Sequence, residues 1–403
     1  MTKERLAGMH GIGVDRMGAA ADEQTNDLTG VRPVEAAANE IKAGILRLEN
    51  FDTDLRSPPA AIAETKRAVE DDAANSYLPF IGQDKLRQAV ARHVGVQSGL
   101  EIDWRRQVVI TAGGLNGVLV ALLALTQPGD EVVMTDPTYI GMINRVCLAG
   151  AVPRLVAFAA ESGAWRLDFE ALRRSINPKT RTIFIMSPSM PSGAVLNQAE
   201  WSAIAELCAD ACLLLLYNAA MERIVYDGRS GFHPASIPAF AGRTVTIGSV
   251  SKEHCMIGWR VGWVVAAPAL IDRIALVQIS DVVVPVGIAQ GAATVALEEG
   301  SDAVIRAVAE WQRRRDMVVK ELDGLPVIAP AGGWSMLLDT GALGHGGEKA
   351  SALLLEKARI AATPMVNWGE VNGRQFVRFV FSNEPVGRLR GMGAKVRHAL
   401  GCA

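Results

Sequence analysis

No apolar run in this 403-residue chain reaches the roughly 18 residues that a membrane span requires. The first thirty residues, "MTKERLAGMHGIGVDRMGAAADEQTNDLTG", lack the continuous apolar block of a secretion signal and read as a loosely structured arm rich in glycine and polar residues. Charge of one sign is not in excess. Lys plus Arg number 41 and Asp plus Glu 43, a formal net charge of −2, so no sequence-independent grip on nucleic acid or an anionic membrane follows. Cysteine is scarce and odd in number: Cys147, Cys208, Cys212, Cys255 and Cys402 are scattered, with no C-x-x-C pair, and imply a reducing, cytoplasmic setting. Cys208 and Cys212 stand one helical turn apart with few other ligands nearby, which favours two core thiols over a zinc site. Nucleotide-binding glycine motifs are missing too. There is no G-x-x-x-x-G-K-[ST], and "GIGVDRMG" has the wrong spacing and follows no strand.

What is present is a globular profile, 49% hydrophobic and 21% charged, on a chain long enough for more than one domain. From about residue 105 to 267, short aliphatic runs alternate with helical patterns. The runs "QVVIT", "EVVMT", "RTIFIM", "CLLLLY", "TVTIG" and "VGWVVAA" are expected strands, and "LNGVLVALLALT", "DFEALRRSI" and "QAEWSAIAELCA" are expected helices between them. Near-continuous apolar strands alternating with helices predict a mainly parallel sheet covered on both faces. Ligands of such sheets sit beyond the carboxyl ends of the strands, so the residues just after each run are the candidates.

Those residues are polar or conformationally special. After "QVVIT" comes "AGGLNG", where Gly113 and Gly114 let backbone N–H groups at a helix start face an anion; a plain strand-to-helix turn is the alternative. "EVVMT" is followed by a turn ending in Tyr139, whose ring could lie on a flat ligand or fill the core. "RTIFIM" leads to "SPSMPSG", where two prolines predict an extended, rigid loop. "CLLLLY" leads to Asn218. "TVTIG" leads to "SVSKEHCMIGWRVGW", which sets Lys252 among Ser249 and Ser251 with Arg260 eight positions on. A lysine among hydroxyls with a second cation nearby, and only Glu253 as a local carboxylate, suggests an anionic ligand.

In order along the chain, "YLPFIGQDKLRQAV", "TAGGLNG", "QPGDEVVMTDPTY", "SPSMPSG", "YNAAMERIVYDG", the lysine stretch and "GRQFVRFVFS" resemble the class I/II aminotransferases, fold-type I enzymes that use pyridoxal 5'-phosphate. The resemblance implies that Lys252 forms the Schiff base with the cofactor aldehyde and later shuttles a proton. It implies that Ser249, Ser251, Arg260 and the backbone N–H groups of Gly113, Gly114 and Leu115 hold the phosphate, and that Tyr139 stacks on the ring. Tyr77 matches the tyrosine that reaches the phosphate from a partner subunit, which implies a homodimer with shared active sites, and Arg378 matches the arginine that clamps the substrate α-carboxylate. The implied substrates are a free α-amino acid and a 2-oxo acid. The implied architecture is a large cofactor domain over roughly 55–300. Residues 1–54 and 301–403 form an arm and a small α+β domain, joined to it by a helix around "VALEEGSDAVIRAVAEWQRRRDMVVKEL".

The ring-binding positions depart from the family pattern. Asn218 stands where the family has an aspartate opposite the pyridine nitrogen, with Ala219 next to it, and Met190 and Met221 replace an asparagine and a tyrosine that serve the phenolic oxygen. An amide cannot stabilise a protonated pyridine by charge as a carboxylate does, and methionines leave the phenolate without donors. The imine proton is therefore expected to persist to high pH; an ordinary imine pKa in a spectral titration would contradict this. The substitutions leave transamination with a weaker electron sink beside a racemisation, elimination or cyclisation. A catalytically silent sensor is a third reading, opposed by the retained Lys252, Arg260 and Arg378 and by the lack of a basic winged-helix segment in the arm.

Overall fold

The structure, a computed structural model, describes residues 30–41 and 44–402. The arm expected over the first thirty residues lies outside the described residues, except for Gly30. An eight-stranded sheet dominates. Its strands are β2 (Val108–Thr111), β3 (Glu131–Asp136), β4 (Val152–Glu161), β5 (Ala164–Leu167), β6 (Thr180–Met186), β7 (Leu214–Asn218), β8 (Thr244–Ser249) and β9 (Gly262–Val265). They lie in the order β2-β9-β8-β7-β6-β3-β4-β5. The centre is parallel, through the β4–β3, β3–β6, β6–β7 and β7–β8 pairs, while β9 runs antiparallel to both β2 and β8. The fold is α/β.

The six aliphatic runs became strands because each is buried on both faces, and successive side chains divide between two cores. Val133, Ile183, Ile185 and Leu215 enter one core, and Val132, Met134, Phe184 and Leu216 enter the other. Local signals set the helices between them. Asp168 caps Phe169–Ser175 by accepting from the N–H of Ala171. Asn197 and Glu200 form a reciprocal capping box at the start of Gln198–Asp210. β4 and β5 had no counterpart in the sequence reading; β4 alternates buried and partly exposed residues, a weaker pattern than a continuous apolar run.

A second layer is built from β10 (Ser335–Asp339), β12 (Thr363–Pro364) and β13 (Phe376–Val380), in the order β10-β13-β12. β1 (Leu46–Arg47) pairs in parallel with β11 (Ile360–Ala361) beside it. The expected connecting helix is two helices, Gly287–Glu299 and Ser301–Glu321. Gly300, wedged against the carbonyl of Ala296 and the ring of His254, interrupts the run. The "SPSMPSG" segment is a turn rather than an extended loop: Gly193 N–H bonds back to Ser189 O, and Ser189 N–H to Ala194 O. Among the described residues no helix is long and apolar enough to cross a membrane.

Candidate active site

Strands β2, β3, β6, β7 and β8 all point the same way, so their carboxyl ends share one edge of the sheet. A cavity of about 660 Å³ opens there, between that edge, the three-stranded sheet and the helix Val31–Ile41. Its walls include Gly114, Leu115, Tyr139, Met190, Asn218, Ser249, Ser251, Lys252, Arg260 and Arg378. Ten positions named from the sequence thus meet around one space.

Lys252 sits in the turn between β8 and β9, enclosed by protein apart from the cavity. Its Nζ donates to Phe51 O at 3.0 Å and lies 4.7 Å from the Phe51 ring and 4.8 Å from the Trp334 ring. Burial pushes its pKa down to about 7; nearby Asp52 opposes that shift, and Arg260 and Arg378 add to it. A lysine in that state has a large neutral fraction at physiological pH, which is what attack on an aldehyde requires.

Around the start of helix Gly114–Leu125 the chain leaves room for an anion. Gly113 adopts φ +86, and a Cβ on it would lie 2.4 Å from Arg260 Nη2. Only glycine combines that conformation with that approach. Arg260 is itself left-handed, at φ 54, and its Nη1 donates to Ile257 O at 2.9 Å and to Ser251 Oγ at 3.4 Å. Ser249 Oγ packs against Gly114. Helix N-terminus, hydroxyls and guanidinium converge, the donor set for a phosphate.

Arg378, on β13, is 0% exposed. Its Nη2 donates to Glu49 O at 2.6 Å and to Thr363 Oγ1 at 3.0 Å, but Nε and Nη1 have no partner among the described residues. No carboxylate among the described residues pairs with it, and burial lowers its pKa to about 10. Trp368 lies under its guanidinium, 4.7 Å from ring centre to Cζ. A buried guanidinium with two donors unmatched among the described residues, set at a cavity wall, has the chemistry to bind a carboxylate. An ordinary solvent-facing arginine is excluded.

Asn218 is buried at the end of β7, and its Oδ1 accepts the N–H of Ala220 at 3.1 Å, which leaves Nδ2 as its free polar end. Met190 forms part of the wall, but Met221 does not; it is buried in the core against Gly333, and Ala220 lines the cavity in that region. Gly113 is not on the wall, and its N–H, expected to face the anion, donates instead to Thr111 O at 2.8 Å. Tyr77 is 81% exposed and outside the cavity of its own chain. Trp263 is core, and Trp259 donates to Thr65 Oγ1. Sequence reasoning missed Asn50, Phe51, Met186, Ile257 and Trp368 on the walls. Asn50 and Phe51 lie in "RLENFDTDLRSPP", which follows none of the expected strands and so carried no local signal. These features fit pyridoxal phosphate: an enclosed amine for the aldehyde, a cluster of anion donors, an aromatic ring at Tyr139, and a separate buried guanidinium at Arg378.

Comparison with known proteins agrees. The family profile "Aminotransferase class I and II" matches residues 46–387. The chain is 30% identical over 343 residues to the aromatic-amino-acid aminotransferase 2 of Thermococcus litoralis, covering 84% of this chain and 87% of that one. It is 32% identical over 320 residues to an arginine–pyruvate transaminase of Pseudomonas aeruginosa, covering 78% and 79%. Among solved structures, the N-succinyldiaminopimelate aminotransferase of Mycobacterium tuberculosis superimposes with a TM-score of 0.87 at 28% identity, covering 94% of this chain and 99% of that one.

Proposed function

This chain belongs to the class I and II aminotransferases, and from that premise we propose how its cavity residues divide the work of moving an amino group. The enzyme is pyridoxal-phosphate dependent and acts between an α-amino acid and a 2-oxo acid. The cofactor, when bound, supplies the aldehyde and the conjugated ring that together accept and store the amino group.

Lys252 is the amine that holds the cofactor covalently and the base that moves the substrate's α-proton, a role supported by its enclosed Nζ and lowered pKa. Ser249, Ser251, Arg260 and the amides of Gly114 and Leu115 grip the phosphate, while the Gly113 N–H is committed to Thr111 O. Tyr139 covers the ring. Asn218 offers the ring nitrogen an N–H donor, because its oxygen is committed to Ala220. Arg378 binds the α-carboxylate through the two nitrogens that have no partner among the described residues. That orphaned guanidinium carries the reading, since a buried charge without a partner is costly unless a ligand completes it.

A homodimer is part of the proposal. Tyr77, Phe80, Val283 and Val286 are exposed, and the 74–80 segment packs against the start of helix Gly287–Glu299, where Gly287 touches Ala74 and Leu78. That apolar face fits a second copy, with Tyr77 reaching the partner's phosphate site. Cysteine usage supports a cytoplasmic setting.

The relatives are named for aromatic, aspartate, arginine and succinylated substrates at similar identity, so they do not select a side chain. The test is a single-turnover reaction of the loaded protein with a panel of amino acids. At least one should convert its absorbance to the pyridoxamine form and release the matching 2-oxo acid. Binding spectra that stall with every amino acid would contradict transamination.

A further inference from the structure

Asp136 ends β3, is buried, and pairs with no cation among the described residues. Its carboxylate instead accepts three consecutive backbone N–H groups from the loop between β12 and β13: Glu370 and Val371 on Oδ2, each at 2.8 Å, and Asn372 on Oδ1 at 3.1 Å. Asn372 returns the contact, donating its Nδ2 to Asp136 O and to Phe158 O, each at 3.0 Å. Thr138 N–H donates to Trp368 O at 2.8 Å. A Cβ on Gly369 would lie 2.0 Å from Asp136 Oδ1, so the loop backbone rests directly on the carboxylate. One edge of the eight-stranded sheet is therefore strapped to one loop of the other layer.

What that loop carries is Trp368. Its ring lies 5.3 Å from the Tyr139 ring and 4.7 Å from Arg378 Cζ, and it forms part of the cavity wall. Asp136 touches neither the cavity nor Arg378. It fixes the backbone beside a side chain that touches both.

We propose that Asp136 is a positioning residue for substrate binding: by holding residues 370–372 it sets Trp368 between Tyr139 and Arg378, and so fixes the guanidinium that receives the α-carboxylate. The proposal rests on the reading of Arg378 as the carboxylate site. A general structural strap would lower stability without regard to Trp368. A strap that acts through Trp368 makes a narrower claim, since the loss should vanish once that ring is gone.

The test is a double-mutant cycle on the cofactor-loaded enzyme with Asp136→Asn, Trp368→Ala and the pair, using the panel amino acid that reacts fastest. An amide of the same shape keeps one acceptor and turns an NH₂ toward the loop N–H groups. Asp136→Asn should raise KM about tenfold or more, leave kcat within about threefold and leave the loaded absorbance unchanged. On the Trp368→Ala background it should change KM by less than about twofold. An equal multiplication of KM in both backgrounds, or an unchanged KM, overturns the proposal. Should Asp136→Asn not fold, Gly369→Ala disrupts the same contact from the loop side; a normal KM there also overturns it. An Arg378→Lys variant with normal KM would show that the carboxylate reading beneath it has failed instead.

Discussion

Lys252 is where burial and chemistry meet most directly. Its amine has an ordinary value of 10.5 and is lowered to about 7 in the fold, chiefly by desolvation. Below pH 7 the folded and unfolded chains both carry the proton, and the cost of the buried charge is borne in full. As pH rises from about 7 toward 10.5 the folded amine sheds its proton while the unfolded one keeps it, so the folded state gains about 1.4 kcal/mol per unit of lowering. Other buried groups titrate as well; burial raises Glu222 to about 8, with the opposite sign of pH dependence. The useful quantity is therefore a difference. Thermal unfolding of the apoprotein should show wild type gaining on Lys252→Met between pH 7 and 9. A difference that stays flat with pH would mean the amine is not held in a low-pKa state.

At the scale of elements, the proposed phosphate cup depends on a strand running into a helix through one residue with no side chain. In Gly113→Ala a methyl group meets the Arg260 guanidinium and the backbone is held in a left-handed conformation. The variant should fold but bind pyridoxal phosphate at least about tenfold more weakly by equilibrium titration, since Arg260 must leave its place. Wild-type affinity would show that Arg260 does not form the cup.

That the lysine turn and the strand ends meet at one cavity was legible in the sequence because each belongs to a contiguous stretch: an apolar run followed at once by its candidate residue. The near-continuous apolar runs "RTIFIM" and "CLLLLY" made those strands plain, and the structure divides their side chains between two cores. What stayed hidden came from distant segments. Phe51 meets Lys252 across 201 positions, and Asp136 meets Asn372 across 236. No local period reports such contacts. Met221 shows the complementary limit: its place in a motif gave its address along the chain, while the turn after β7 directed its side chain into the core and left Ala220 on the wall.

At the scale of the whole molecule, the proposed dimer makes each cavity depend on two chains. Mixing an inactive Lys252→Ala protein with a Tyr77 variant of impaired cofactor binding, under conditions that exchange subunits, should then restore activity. Each hybrid would hold one site with neither lesion, giving about a quarter of wild-type activity at statistical exchange. No recovery in mixtures shown to contain hybrids would place Tyr77 outside the partner's site. The account as a whole stands on the covalent grip at one amine. The protein loaded with pyridoxal phosphate, reduced with borohydride and digested, should carry a single pyridoxyl group on the peptide containing Lys252, absent from Lys252→Ala. A cofactor that washes away, or an adduct on any other lysine, would contradict it.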